Sequence, residues 1–358
     1  MFVERISTVD GFDKERSRWE TLQALDPNVT VFTTWKWLRA YLPTARLRWT
    51  ILVLREGGEA IAYLPIARNR SPIDRELFLG GNPVADYTGM IALPGQAEVA
   101  VGAFAEYLAA QAWDGFNVCD VADPNVDTLV RRLADRGMRI TETSESRCLS
   151  CALPATWEEC ITQCISAKTR VNMVRVERRL TEALPAFRIS EPCAEDIDAH
   201  IAGMLLVHHK RWGGNLRNAH RRYGRLFRNA YDQGLLRMFI YWDGARPIAG
   251  ATAFTDDARS WFGLYMLGFD DAYEKLSPGK GIVGRAIRAA IESGYGRFDF
   301  MRGAEEYKAR YASDVRVTRH YRMMRPGLRA AAVALARPKL LDLKLAIANR
   351  VYGPGRTL

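Results

Sequence analysis

The spacing of apolar and polar positions along the first 150 residues switches repeatedly between two periods. Residues 12–25 and 35–42 follow helical spacing, as do the alanine-rich stretch 97–112 and residues 125–136, which Gly137 closes. Thr50–Arg55 and Ala60–Ala67 read as strands on either side of EGGE, a hairpin turn signal. Thr88–Ala92, after the loop GGNPVAD, and Phe116–Val121 read as further strands.

At Pro154 the pattern changes. Thr156 and Glu159 have capping-box spacing, and a long helix is expected over 156–183. Its core side would carry Ile161, Ile165, Val171, Val174 and Leu180. Lys168, Arg170, Arg175, Arg178 and Arg179 would form a basic face, which as a rule is solvated surface. Alternation then resumes. Ala186–Ile189 is a short strand, and Ile197, Ile201, Met204, Leu205, His208 and Trp212 form a helical stripe. A second helix covers about 218–233. Strands follow at Leu235–Trp242, Pro247–Thr255 and Ser260–Phe269, the first two joined by DGAR. A helix is expected from near Gly281, with its stripe at Val283, Ala286, Ile287, Ala290 and Ile291, ending at Gly294. Arg297–Met301 and Val315–Met324 read as the last strands.

This order predicts an α/β (α+β) chain in two similar halves, each a mixed sheet flanked by helices. The expected domains are 1–150, 151–325 (opening with the long basic helix) and a basic tail, 326–358. No short repeat is present. In the tail, Leu340, Leu343 and Ile347 fall at helical spacing, which suits a helix lying on a membrane surface, a cap on the domain or a loose end.

The 358 residues are 48% hydrophobic and 26% charged, the balance of a folded chain that needs no disulfide or metal for stability. MFVERISTVD has early acids and no apolar run, unlike a signal peptide, and no stretch is long enough to span a bilayer. The cytoplasm, with contact at a membrane periphery, is the expected location. A net charge of +10 points to an anionic partner without choosing among CoA, nucleic acid and lipid. Of the six cysteines, Cys148, Cys151, Cys160 and Cys164 cluster. Zinc is one reading of the spacing. The better one puts Cys148 and Cys151 on opposite faces of a strand, and Cys160 and Cys164 in a helical core. No metal is expected.

The densest chemistry lies between Phe254 and Arg325. The strand SWFGLYMLGF runs into a loop with Ser277, Pro278, Gly279, Lys280 and Gly281, and then a helix. Glycines permit close approach of a ligand, and a helix start attracts phosphate; Lys280 and Arg285 add charge. The loop is neither a Walker loop nor a dinucleotide fingerprint. Asp299, inside FDFMRG, is a carboxylate in an apolar run. Arg302 is a candidate ion-pair partner, and the alternative is a base or orienting group. Tyr307 is placed either as a general acid for a leaving thiolate or as a boundary residue of the core. His208 and His209 lack the companions of a metal site, which leaves His208 structural or substrate-positioning.

HHKRW (208–212), DGARPIAG (243–250), YMLGFDDAYEKLSPGKG (265–281) and FDFMRGAEEYKARY (298–311) together resemble the GNAT-fold acyltransferases of the BioF-like/CelD-like group, some of which are linked to cellulose and exopolysaccharide synthesis. That group is similar to the FemAB-type transferases, which build two GNAT-like domains in one chain. The resemblance covers about 150–325, and extends to FTTWKWLRAYLP (32–43) and to Asp86 and Tyr87. It implies two tandem GNAT-like domains. It also implies an acyl-CoA donor lying between two splayed strands, and direct attack by an amine or hydroxyl of a small-molecule or saccharide acceptor. Ser277, Pro278, Gly279 and Gly281 match the cofactor loop; Asp299, Arg302, Gly303, Tyr307 and Lys308 match the active-half motif. His208, Trp212, Tyr265, Asp86 and Tyr87 are the candidate acceptor-side residues. Two other readings stand beside this one: a FemAB-like transferase fed by aminoacyl-tRNA, and a non-catalytic basic module docked on a membrane-bound polysaccharide machine.

Overall fold

Two glycines at the tip of EGGE, both at positive φ (Gly57 57°, Gly58 90°), turn the chain through the first long hairpin. Its arms are β2 (Arg48–Glu56) and β3 (Glu59–Arg68), and β1 (Phe2–Ile6) adds to β2. The computed structural model describes residues 1–70, 75–164 and 167–327. Contacts divide the chain into two units. One is Met1–Ser146 with the strand segment from Val317; the other is Arg147–Arg316. Both are mixed sheets flanked by helices.

In the first unit the chain continues through β4 (Glu76–Leu79), β5 (Ile91–Ala92), β6 (Gly115–Val121) and β7 (Arg139–Ala152). The strand order is β1-β2-β3-β4-β6-β13-β7, where β13 is Asp314–Met324 and β5 pairs with β3. Helices α1 (Val9–Lys14), α2 (Arg16–Leu25) and α3 (Trp35–Tyr41) bring an aromatic cluster to β3, with Trp19 stacked on Tyr63 at 4.3 Å. The main apolar core lies under α4 (Ala97–Ala110) and α5 (Pro124–Asp135), from which Phe104, Leu108, Leu129 and Leu133 pack on Leu64, Leu79 and Phe116. The strand expected at Thr88–Ala92 is shorter than its pattern suggests, because Thr88 instead forms a lone bridge to Val121.

The basic helix of the second unit is not continuous. The capping box forms, with Glu159 N–H donating to Thr156 Oγ1 at 3.2 Å, but α6 (Trp157–Glu159) gives way to a π turn at Cys160–Cys164 before α7 (Ala167–Ala183). Then come β8 (Phe187–Ser190), α8 (Ile197–Trp212), α9 (Leu216–Ala219), a π turn at His220–Gly224 and α10 (Arg225–Asp232). β9 (Leu236–Asp243), β10 (Arg246–Asp256), β11 (Trp261–Phe269), α11 (Pro278–Glu292) and β12 (Arg297–Arg302) complete the unit. The sheet order is β7-β12-β11-β10-β9-β8. On one face Val176 and Leu180 of α7 and Ile282, Ala286 and Ile287 of α11 pack on Phe239, Ala251 and Phe298. The other face meets α8 so closely that a Cβ on Gly268 would lie 2.4 Å from the His208 backbone nitrogen. The tail helix falls outside the described residues.

Candidate active site

β11 runs parallel to β12 over only three residue pairs, Trp261–Arg297, Phe262–Phe298 and Gly263–Asp299. From Leu264 to Phe269 no described strand pairs with β11 on that side. Asp270 N–H donates to the Ile248 carbonyl on β10 at 2.9 Å, so by alternation Gly268 and Met266 also face β10. Leu267 and Phe269 therefore aim their amides and carbonyls at the open edge. Trp212, 54% exposed, donates its indole N–H to the Leu267 carbonyl there at 2.9 Å.

β12 leaves because its backbone turns. Met301 stands at φ 60°, and the register against β7 slips between Asp299 and Arg302. The buried Asp299 carboxylate braces this turn by accepting from Met301 N–H at 2.7 Å and from the Trp261 indole at 3.2 Å. Gly263 makes room for that arrangement, since a Cβ there would lie 2.1 Å from the Trp261 ring and 2.6 Å from the Met301 methyl. Trp261 is one of the aromatic residues that the sequence offers for stacking on a sugar ring, but nothing in SWFGLY says that its ring folds back across Gly263 to reach Asp299.

α11 begins at Pro278, three residues earlier than the apolar stripe suggests, because proline is well suited to a first helical position. Ser277 precedes it at φ 57°, and its carbonyl accepts from Lys280 N–H at 3.0 Å and from Gly281 N–H at 3.4 Å. The two glycines fit tight packing inside the unit. A Cβ on Gly279 would lie 2.7 Å from the Phe269 ring, and one on Gly281 would lie 2.6 Å from Val176. Lys280 is exposed. Arg285 turns toward α7 and donates to both oxygens of Glu177 at 2.9 and 2.5 Å, with the buried Tyr241 hydroxyl donating to the same carboxylate at 2.5 Å. Glu177 was not anticipated, since a lone acid on a basic helix carries no signal of its partner.

Beyond β12, Lys308 is buried and fully engaged. Its ammonium donates to the Arg302 carbonyl at 2.7 Å and the Gly303 carbonyl at 3.3 Å, and pairs with Glu305 at 2.8 Å. It thus clamps the loop that follows β12, while the Arg302 side chain is exposed. Tyr307 is half-buried against the apolar core of its unit. Burial, and then the Glu305 charge, push its hydroxyl well above the usual tyrosine range, so it stays protonated.

The other expected residues are spread out. Burial, and then the neighbouring His209, lower the pKa of the half-buried His208. Tyr265 sits where the β10–β11 register slips, at 4.8 Å from the Phe254 ring and 6.3 Å from Tyr223. Asp86 and Tyr87 are buried in the first unit, Tyr87 at 1% exposure with its ring tilted toward Phe32. Cys148 and Cys160 are buried, and Cys151 packs at the edge of the second core; the Cys164 side chain lies outside the described residues. No metal-holding group of His, Cys, Asp and Glu occurs among the described residues.

Residues 167–309 match the acetyltransferase (GNAT) domain family model. The second unit is an acyltransferase domain of the GNAT fold. Similar solved structures agree on the fold over nearly the whole chain. FemX has 9% identity and a TM-score of 0.60, covering 89% of this chain and 96% of that one. A tandem GNAT protein from the clavulanic acid biosynthesis pathway has 11% identity and 0.54, covering 91% and 99%. L-PGS from Bacillus licheniformis has 9% and 0.51, covering 90% and 96%. No curated protein sequence matches the chain. No helix among the described residues is long and apolar enough to cross a membrane.

Proposed function

We propose that this acyltransferase takes its acyl group from acyl-CoA and passes it directly to an amine or hydroxyl acceptor. The thioester would lie in the opening between β11 and β12, with the donor's diphosphate at the start of α11. The observation that carries the reading is the parting of β11 from β12 after Gly263 and Asp299, beyond which no described strand pairs with that edge of β11. A thioester carbonyl beside such amides gains a fixed hydrogen-bond donor, and most of the acceleration would come from holding donor and acceptor together. Tyr307, kept protonated by burial, would hand its proton to the leaving thiolate, and the proton that the attacking amine or hydroxyl loses would restore it. Asp299 and Lys308 hold the β12 turn and its following loop in place, and Arg302 sits exposed between them. Ser277, Pro278, Gly279, Lys280 and Gly281 would border the diphosphate, with Arg285 held behind them by Glu177. The resemblance to the CelD-like group supports an acceptor from polysaccharide or cell-envelope synthesis.

The test is a thermal-shift series with acetyl-CoA, longer acyl-CoAs and free CoA. Binding to the native state alone stabilises it by about 2.7 kcal/mol at a hundred times Kd. Lys280→Glu is the informative variant, because Lys280 is exposed, whereas a side chain at Gly279 would collide with Phe269 and confound folding with binding. A smaller acetyl-CoA shift in Lys280→Glu is expected; an unchanged one removes α11 from the donor site. No shift with any CoA compound would favour aminoacyl-tRNA, whose binding should weaken steeply with salt, or a silent docking module.

A further inference from the structure

Downstream of the α8 stripe the second unit carries a run with no acidic residue from Trp212 to Tyr231. Trp212, at 54% exposure, ends α8 on the surface, and Gly213 and Gly214 turn the chain at φ 70° and 87° into α9. Arg217, Arg221, Arg222 and Arg225 are all exposed, and none has an ion-pair partner among the described residues. Arg228, farther along, is the one held, by Asp198 at 3.2 Å and Asp232 at 3.5 Å. The buried side of the same segment is apolar, with Leu226, Phe227 and Ala230 turned into the unit. Most basic surface elsewhere in this unit is paired: Lys210 and Arg246 both meet Asp270 at 2.5 Å, and Arg237 meets Glu191 at 2.7 Å.

We propose that Trp212 and the arginine row Arg217, Arg221, Arg222 and Arg225 form a docking surface for an anionic lipid bilayer. A row of exposed guanidinium groups along α9, the π turn and the start of α10 meets a plane of lipid phosphates without any groove, and a tryptophan beside it suits the headgroup layer. The alternative polyanion is single-stranded RNA, which needs exposed aromatic rings to stack its bases. Trp212 and His220 are exposed, but Tyr223, in the middle of the row, stacks on Phe227 at 5.6 Å and meets Tyr265 edge-on at 6.3 Å, so no continuous run of open rings follows the arginines among the described residues. Tyr265 lies just past the point where β11 and β12 part, and Trp212 touches the open edge itself, so this surface adjoins the opening.

The experiment is flotation of the full chain with phosphatidylcholine vesicles, with and without phosphatidylglycerol, in the absence of any acyl donor. Wild type should float only with the anionic vesicles. Each arginine removed should weaken binding by about fivefold, and Arg221→Glu with Arg222→Glu by at least about 25-fold. The double variant should keep the wild-type melting temperature and CoA response. Lys339→Glu with Lys344→Glu in the tail should float like wild type. The proposal is overturned if the double arginine variant floats unchanged, or if only the tail variant loses binding. It is equally overturned if the arginines govern retention of bulk tRNA while vesicles are ignored. Because no donor is present, an acyltransferase that fails to use CoA leaves this result readable.

Discussion

In the first unit β4 and β6 run parallel over three residue pairs, Glu76–Gly115 to Phe78–Asn117; in the second, β11 and β12 do the same from Trp261–Arg297. What lies beyond the contact differs. In the first unit the chain doubles back into the gap. Thr88 N–H donates to the Asp120 carbonyl at 2.7 Å, its hydroxyl donates to Cys119 at 2.6 Å, and its carbonyl accepts from Ala122. Tyr41 donates to the Asn82 carbonyl at 2.8 Å, and Trp37 packs so near Gly81 that a Cβ there would lie 3.3 Å from its ring. In the second unit no described strand covers the corresponding edge of β11, and among the described residues the Trp212 indole is what reaches it. The same layout is filled in the first unit and, among the described residues, unfilled in the second, where we propose that the donor lies.

If that contrast holds, damage to the first unit should appear as lost stability and damage to the second as lost turnover. The largest effect is expected at Glu76, which is 1% exposed and receives Arg322 through two hydrogen bonds, at 2.7 and 3.0 Å. Glu76→Ala leaves the Arg322 guanidinium without its carboxylate, held only by the Asn117 amide oxygen, and should cost about 3–5 kcal/mol in denaturant unfolding. Any acyl-CoA shift of the second unit should survive wherever the protein remains folded.

Asp123 offers a sharper probe of the filled gap. Its carboxylate accepts from Met90 and Asn125 N–H, both at 2.9 Å, yet burial raises its pKa to about 7 from a model-compound value of 3.8. A raised pKa favours the protonated folded form. The stability this group contributes is full below about pH 4 and lost as pH rises through 7, by up to about 4 kcal/mol. Asp123→Asn should remove that slope, so the variant's stability relative to wild type should climb between those pH values. A constant difference across the window would mean that Asp123 stays ionised in the fold.

In the open unit, Tyr307→Phe should lower kcat by roughly 100-fold, about 2.7 kcal/mol on the barrier, with KM and melting temperature little changed. A near-normal kcat would return Tyr307 to the apolar core it borders and make the two units more alike than proposed.

How much of this was legible in the sequence depends on how local the cause is. The β2–β3 hairpin, the capping box at Thr156 and the helices at 97–110, 124–135 and 278–292 follow from turn glycines, caps and periodic apolar positions within a few residues of one another. β1 and β4 were missed because five- and four-residue strands carry little periodic signal, and the two π turns because their extra residue leaves the apolar stripe nearly intact. Among the site candidates, Asp299 stood out as a carboxylate in an apolar run, but its partner Trp261 is 38 residues away. Gly279 and Gly281 were visible as glycines, while the ring of Phe269 and the side chain of Val176 that demand them were not.

The sequence by itself determined most of the longer helices and strands, the doubled αβ order and the basic excess, because these depend on neighbouring residues and on composition. Only the tertiary structure decided that β12 turns away at Met301, that the matching gap in the first unit is refilled by the loop carrying Thr88, and that Lys308 and Arg285 are bound within the fold. Each of these rests on contacts between distant parts of the chain, where a single backbone turn or one packed ring selects between a closed sheet and an open one.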